Sequence, residues 1–134
     1  RIMPTHRLKK HLMPVLQKAK EDQEVLSVIL FGSQARSEAN KHSDVDLCLV
    51  LRHRTYSPLF LSRKKLDYLK ETDADIQIYQ QLPLPLRHRI LREGKILVCK
   101  DYDSLYAQGY LTMREFSRFA RFYKNYLQAV QDGR

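Results

Sequence analysis

Residues 25–51 read VLSVILFGSQARSEANKHSDVDLCLVL, and this stretch decides the fold because two apolar runs enclose a polar segment. The runs 25–31 and 45–51 are rich in valine, isoleucine and leucine, which favours β-strands. Residues 34–43 between them are polar and have the length of a short helix and a loop. We therefore predict two strands joined by a short polar connection.

A Gly-Ser pair and an Asp-x-Asp motif lie at the inner ends of these two strands. Gly32 and Ser33 follow the first strand, and Asp44 and Asp46 open the second. Alternation places the two aspartates on one face of the strand, where their charges repel each other unless a cation lies between them. Magnesium prefers such oxygen ligands and keeps positions open for substrate phosphates, while the glycine and a following helix N-terminus accommodate a phosphate. The motif predicts a metal–nucleotide site.

A third carboxylate opens the next predicted strand, residues 75–79. If this strand lies beside the Asp-x-Asp strand, Asp75 joins the metal site, and two magnesium ions assist a nucleotidyl displacement from both ends. Asp75 is also our candidate general base for the attacking hydroxyl, with Asp73 as its rival. Arg36, one turn past Ser33, is the candidate cation for the triphosphate. The structural alternatives are a helix N-cap for Ser33, a strand-edge charge for Asp75 and an exposed helix arginine for Arg36.

Together with the strands 25–31 and 45–51, the other predicted elements give a chain that alternates between helix and strand. These elements are helix 5–20, helix 57–71, strand 75–79, helix 86–93, strand 95–99 and helix 101–130. The second helix begins at Ser57-Pro58, with Leu59, Leu66 and Leu69 on one side, and Gly94 closes the third. This order predicts an α/β (α+β) fold with a small mixed sheet of about four strands. We expect helices to back one face of the sheet and the other face to stay open around the three aspartates. We assign residues 1–134 to a single domain.

Composition narrows the functional classes. The net charge of +9 favours an anionic partner, but no RNA-recognition signature is present, so direct nucleic-acid binding stays open. No run of 18 apolar residues and no apolar signal-peptide core occurs, so we expect neither a membrane span nor a leader. Cys48 and Cys99 lie in apolar runs without a zinc-binding pattern, which predicts free, buried thiols and a cytoplasmic protein.

The long C-terminal helix has a wider apolar surface than one core contact requires. Its stripe comprises Phe116, Phe119, Ala120, Tyr123, Leu127 and Val130, and it is extended sideways by Tyr110, Met113, Phe122 and Tyr126. One interpretation is a core helix with a broad buried face. The other is an interface with a partner protein or with a second copy of the chain.

The residues 31–51, FGSQARSEANKHSDVDLCLVL, resemble the signature of the DNA polymerase β-type nucleotidyltransferases in their minimal (MNT) branch. The segments ADIQIY (74–79) and LPLPLRHRILREGKILVCKD (82–101) extend the resemblance over about residues 25–101. It implies a polymerase β-like nucleotidyltransferase fold with a C-terminal helix. By position it implies that Gly32 and Ser33 bind the triphosphate, that Asp44 and Asp46 hold the metals, and that Asp75 is the third acidic residue of catalysis and magnesium binding. We add Arg36 and Ser43 to the expected nucleotide site.

Minimal nucleotidyltransferases often pair with a small helical HEPN ribonuclease toxin. The resemblance therefore implies an ATP- and magnesium-dependent antitoxin that transfers AMP to a tyrosine of its toxin, as a protein adenylyltransferase. Two alternatives stay open at this point. One is a non-catalytic antitoxin that masks the toxin by binding, and the other is a nucleotidyltransferase acting on a small molecule or on RNA.

Overall fold

A computed structural model gives the structure of this protein and describes residues 10–32 and 45–133. The described helices are α1 (Met13–Glu21), α2 (Pro58–Leu69), α3 (Leu84–Glu93) and α4 (Tyr102–Gln131). The described strands are β1 (Val25–Phe31), β2 (Asp46–Leu51), β3 (Asp75–Ile78) and β4 (Lys95–Cys99). The predicted connection 34–43 and the first residues of the predicted helix 5–20 lie outside the described residues.

The four strands form one mixed sheet in the order β3-β2-β1-β4. β1 pairs antiparallel with both β2 and β4, whereas β2 and β3 run parallel. The register pairs Phe31 with Asp46 and Asp46 with Asp75. The predicted mixed sheet is thus confirmed, and the end of β1 meets the starts of β2 and β3 at one end of it.

Helices cover both faces of the sheet, so the expectation of one open face was wrong. On one face α1 and α2 bury Leu16 and Tyr68 against the core, and on the other Ile90 of α3 and Leu105 of α4 pack in a second cluster. The reason lies in the apolar runs of β1 and β2, in which nearly every residue is buried. Since alternate residues of such a run point to opposite faces, both faces need cover.

Helix α2 begins as predicted, but its buried side is different. Ser57 caps it, because its hydroxyl accepts a hydrogen bond from the Phe60 N–H at 3.1 Å. The predicted leucine side faces outward, with Leu59 60% and Leu66 61% exposed. Leu61 and Tyr68 face the core instead. Tyr68 can be fully buried because its hydroxyl donates to Asp22 Oδ2 at 2.9 Å.

The structure bears out two local expectations only in part. Gly94 caps α3, yet its φ of −73° is open to any residue. A Cβ there would lie 2.4 Å from Ile29 Cγ2, so close packing requires the glycine. Cys48 and Cys99 are free thiols as predicted, and burial raises the pKa of Cys48, whereas Cys99 is only half-buried.

Helix α4 extends well beyond the sheet. Asp101 caps its N-terminus by accepting from the Ser104 N–H at 3.2 Å, and its buried residues are Leu105, Gln108 and Thr112. Most of the aromatic side chains from residue 113 onward are exposed, including Phe122 at 71%. The helix is therefore not a core helix over its second half. No helix of the described residues combines the length and apolar character needed to cross a bilayer.

Candidate active site

Two carboxylates lie side by side where β2 and β3 begin. Asp46 and Asp75 are register partners on these parallel strands, whose backbones lie about 4.8 Å apart. The Asp75 N–H donates to the Val45 carbonyl at 2.8 Å, which fixes this register. Partners on neighbouring strands point to the same face, so both carboxylates project together. The half-buried Asp46 and the exposed Asp75 thus form one acidic pair.

Gly32 lies directly against this pair. It has a φ of +78°, which favours glycine over any residue with a Cβ. A Cβ built on Gly32 would lie 2.3 Å from Asp46 Oδ2. The position therefore excludes a side chain twice, by its backbone conformation and by the carboxylate beside it.

A cavity of about 300 Å³ opens beside Gly32 and Asp46, on the side of α3. Arg89 and Glu93 of α3 also line it, and Arg89 Nε donates to Glu93 Oε2 at 3.0 Å. The basic sequence of α3 was evident, but its periodicity alone did not indicate that one arginine lines the cavity beside Asp46. Arg89 is thus a cation near Asp46 that sequence reasoning missed.

Gln77 and Lys65 support Asp75 from the solvent side of β3. Gln77 Nε2 donates to Asp75 Oδ2 at 3.2 Å, and Gln77 Oε1 accepts from Lys65 Nζ at 3.4 Å. Strand alternation placed Gln77 on the face of Asp75, but only the structure shows the contact. Tyr79 begins the short 3₁₀ turn after β3 and is buried, with its hydroxyl bonded to Thr112.

The donor set at this end of the sheet fits magnesium. Asp46 and Asp75 supply hard carboxylate oxygens of the kind that magnesium prefers, and Asp46 lines the open cavity. Within residues 10–32 and 45–133, no group of three or more His, Cys, Asp or Glu side chains could hold a metal ion. The other predicted site residues lie outside the described part of the chain, and these are Ser33, Arg36, Ser43 and Asp44.

The match to a known family agrees with this geometry. Residues 14–103 match the family described as polymerase beta, nucleotidyltransferase. That range covers more than half of the chain and contains all four strands and the acidic pair. The chain belongs to the polymerase β nucleotidyltransferase family.

An individual relative gives a more specific comparison than the family does. A Methanocaldococcus jannaschii protein named "Putative protein adenylyltransferase MJ1547" is 33% identical over 73 residues, which is 54% of this chain. The match spans about half of that relative, 55% of its length.

Two solved structures share the fold over most of their length. A chain of a toxin–antitoxin crystal structure with AMP-PNP superposes with a TM-score of 0.66 at 16% identity, covering 92% of this chain and 98% of the other. A chain of the complex between a tri-AMPylated Shewanella oneidensis HEPN toxin and an MNT antitoxin gives 0.63 at 14% identity, covering 94% and 98%. At such identities the likeness establishes the fold alone.

Proposed function

We propose that this chain is an ATP- and magnesium-dependent nucleotidyltransferase that acts as an antitoxin by transferring AMP to a tyrosine of a HEPN-type ribonuclease toxin. The observation that carries the proposal is the pairing of Asp46 with Asp75 beside Gly32. Membership of the nucleotidyltransferase family supports the reaction class. The name of the M. jannaschii relative and the toxin–antitoxin complexes of the same fold support the acceptor.

In this proposal the acidic pair, with Asp44, holds the magnesium. The bound metal supplies positive charge next to the triphosphate and lowers the pKa of the attacking hydroxyl. Gly32 lets the Asp46 carboxylate lie against the backbone, since a Cβ at this position would be 2.3 Å from Asp46 Oδ2. Arg89 lies in the same cavity, where its guanidinium attracts a triphosphate. Ser33, Ser43 and Arg36 complete the proposed nucleotide site.

The chemical step needs one proton acceptor. The tyrosine oxygen forms a bond to the α-phosphorus, the bond to the β-phosphate oxygen breaks, and pyrophosphate leaves. Asp75 receives the tyrosine proton as the general base. Gln77 donates to Oδ2 of Asp75 and thereby helps to orient its carboxylate. Asp75 is exposed, so a hydroxyl of another protein can reach it.

The second half of α4 is the proposed contact surface for the partner. Phe122 and Tyr126 are 71% and 55% exposed there, far from the buried residues of the helix. Large aromatic side chains are enriched in protein interfaces and in their energetic hot spots. We expect Phe122→Ala and Tyr126→Ala to weaken complex formation more than charge-neutralising changes at Arg114, Arg118 or Arg121.

Mass spectrometry of a co-expressed HEPN-type partner tests the proposal. We expect additions of AMP on a partner tyrosine with the wild-type chain and none with Asp46→Asn or Asp44→Asn. An unmodified partner whose toxicity is still suppressed would assign the chain to masking by binding. Label from ATP on a small molecule or RNA, with no partner bound, would refute the antitoxin role and retain the nucleotidyltransferase.

A further inference from the structure

A second group of cations lies at the opposite end of β2 from the acidic pair. Arg52, His53 and Arg54 follow β2, and six residues of strand place them roughly 20 Å from Asp46. They line a cavity of about 350 Å³ against α4. His53 and Arg54 also line an adjoining cavity of about 170 Å³, which Arg87 of α3 bounds on another side.

The positive charges of these cavities lack acidic partners. Neither lining contains an aspartate or glutamate. Arg54 and Arg87 form no ion pair within the described part of the chain, and Glu115, one turn beyond Leu111 on α4, does not pair with Arg87. Exposed cations on a basic protein commonly have no acidic partner. The partly buried Arg87 is therefore the stronger indication of a binding site.

Arg87 has a buried donor without an acceptor. Its guanidinium lies over the Tyr79 ring, 5.8 Å from the ring centroid, and its Nε is buried and makes no hydrogen bond with any described residue. Buried polar groups in proteins nearly always have a partner, since leaving a charged donor unpaired is costly. The Nε itself is closed off from solvent, so a ligand in the cavity can meet Arg87 only through the terminal nitrogens of its guanidinium.

The polar neighbours in the smaller cavity are already engaged with one another. Gln108 Nε2 donates to the Leu51 carbonyl at 2.9 Å, and the hydroxyls of Tyr79 and Thr112 bond to each other. The donors left for a ligand are Arg54, Arg87 and His53. Two guanidiniums and an imidazole that line one cavity match an oxyanion with several acceptor oxygens.

We propose that this cavity between Arg54 and Arg87 is a binding site for a phosphate group, separate from the active site. A volume of about 170 Å³ greatly exceeds the roughly 30 Å³ share of one water, so a phosphate has room. None of the lining residues is an exposed aromatic on which a nucleic-acid base could stack, which favours a small phosphate compound over a single-stranded polymer. The proposal does not depend on the proposed transfer reaction.

Titration calorimetry with inorganic phosphate, in chelator and at low ionic strength, tests the site. Chelator keeps the magnesium-dependent active site out of the measurement. We expect saturable binding by the wild type and a roughly tenfold or larger loss of affinity in Arg87→Gln and in Arg54→Gln, because each removes charged hydrogen bonds. Arg63→Gln is the matched control, since it makes the same charge change at an exposed position on α2. It should bind phosphate within twofold of wild type.

Equal losses in all three variants, or unchanged affinity in Arg54→Gln, would overturn the proposal, because the attraction would then be general or located elsewhere. Arg54 is exposed, so Arg54→Gln decides the outcome even if Arg87→Gln unfolds by circular dichroism. A parallel titration with AMP separates two sources of the phosphate. Binding of inorganic phosphate alone assigns the site to the free anion, and tighter, Arg54-dependent binding of AMP assigns it to a nucleotide phosphate.

Discussion

Replacing Gly32 by alanine should weaken nucleotide binding strongly and lower the stability of the fold only modestly. The substitution forces a Cβ onto a residue with φ of +78°, which costs roughly 1–2 kcal/mol. For 134 residues, that corresponds to a fall in the unfolding midpoint of roughly 4–7 °C. The new methyl would also lie 2.3 Å from Asp46 Oδ2, so the carboxylate must move. Since small misplacements of a catalytic group have large effects, we expect magnesium-dependent ATP affinity to fall by roughly tenfold or more.

Gly133→Ala is the matched control for this experiment. Gly133 has a nearly identical φ of +73°, but a Cβ there meets no atom within 4 Å. It lies in the turn after α4, where a Cβ disturbs no neighbouring atom, so we expect a smaller midpoint change than for Gly32→Ala and unchanged ATP binding. Thermal unfolding and calorimetric titration of magnesium-ATP measure both effects. A Gly32→Ala variant that binds magnesium-ATP like the wild type would refute the link between the glycine and the carboxylate.

Two further predictions follow from side-chain contacts. Gln77→Ala should lower the transfer rate by about tenfold while leaving the unfolding midpoint within 1–2 °C, because it removes the donor that orients Asp75; Gln81→Ala, an exposed glutamine nearby, should leave the rate unchanged. Burial raises the pKa of Asp22, but its hydrogen bonds, first that of Lys64, outweigh burial and hold this pKa below the ordinary value of 3.8. The stability that Asp22 contributes is present above pH 3.8 and is lost as pH falls through the lower folded-state pKa. The free energy of urea unfolding should therefore fall less between pH 7 and pH 3 for Asp22→Asn than for wild type. An equal acid loss in both proteins would show that Asp22 does not contribute.

The strands and the acidic pair could be predicted because each rests on local sequence. The β1 and β2 runs are apolar at nearly every position. The alternation of side chains along β2 and β3 determines the face on which Asp46 and Asp75 lie. The expectation that β3 lies beside β2 is confirmed by their parallel register. The roles of the predicted site residues and the assignment of residues 1–134 to one domain stay predictions.

Features that depend on long-range packing could not be predicted. The buried side of α2 carries Tyr68, which contacts Asp22, 46 residues away in sequence, and it does not carry Leu59 or Leu66. Arg89 enters the cavity beside Asp46 only because α3 packs across the sheet on that face. The aromatic stripe of α4 is typical of both a core helix and an interface, and only the structure shows that the buried residues of the helix end at Thr112.

Transfer from ATP labelled in the α-phosphate tests the central claim most directly. The wild type and three single variants should be assayed with magnesium and a HEPN-type acceptor protein, with circular dichroism to verify folding. We predict that Asp46→Asn and Asp75→Asn lose at least roughly a hundredfold in rate, because each removes a charge from the acidic pair. Asp73→Asn, an exposed aspartate two residues from Asp75, should keep the wild-type rate. Full activity of a folded Asp75→Asn or Asp46→Asn variant would contradict the account.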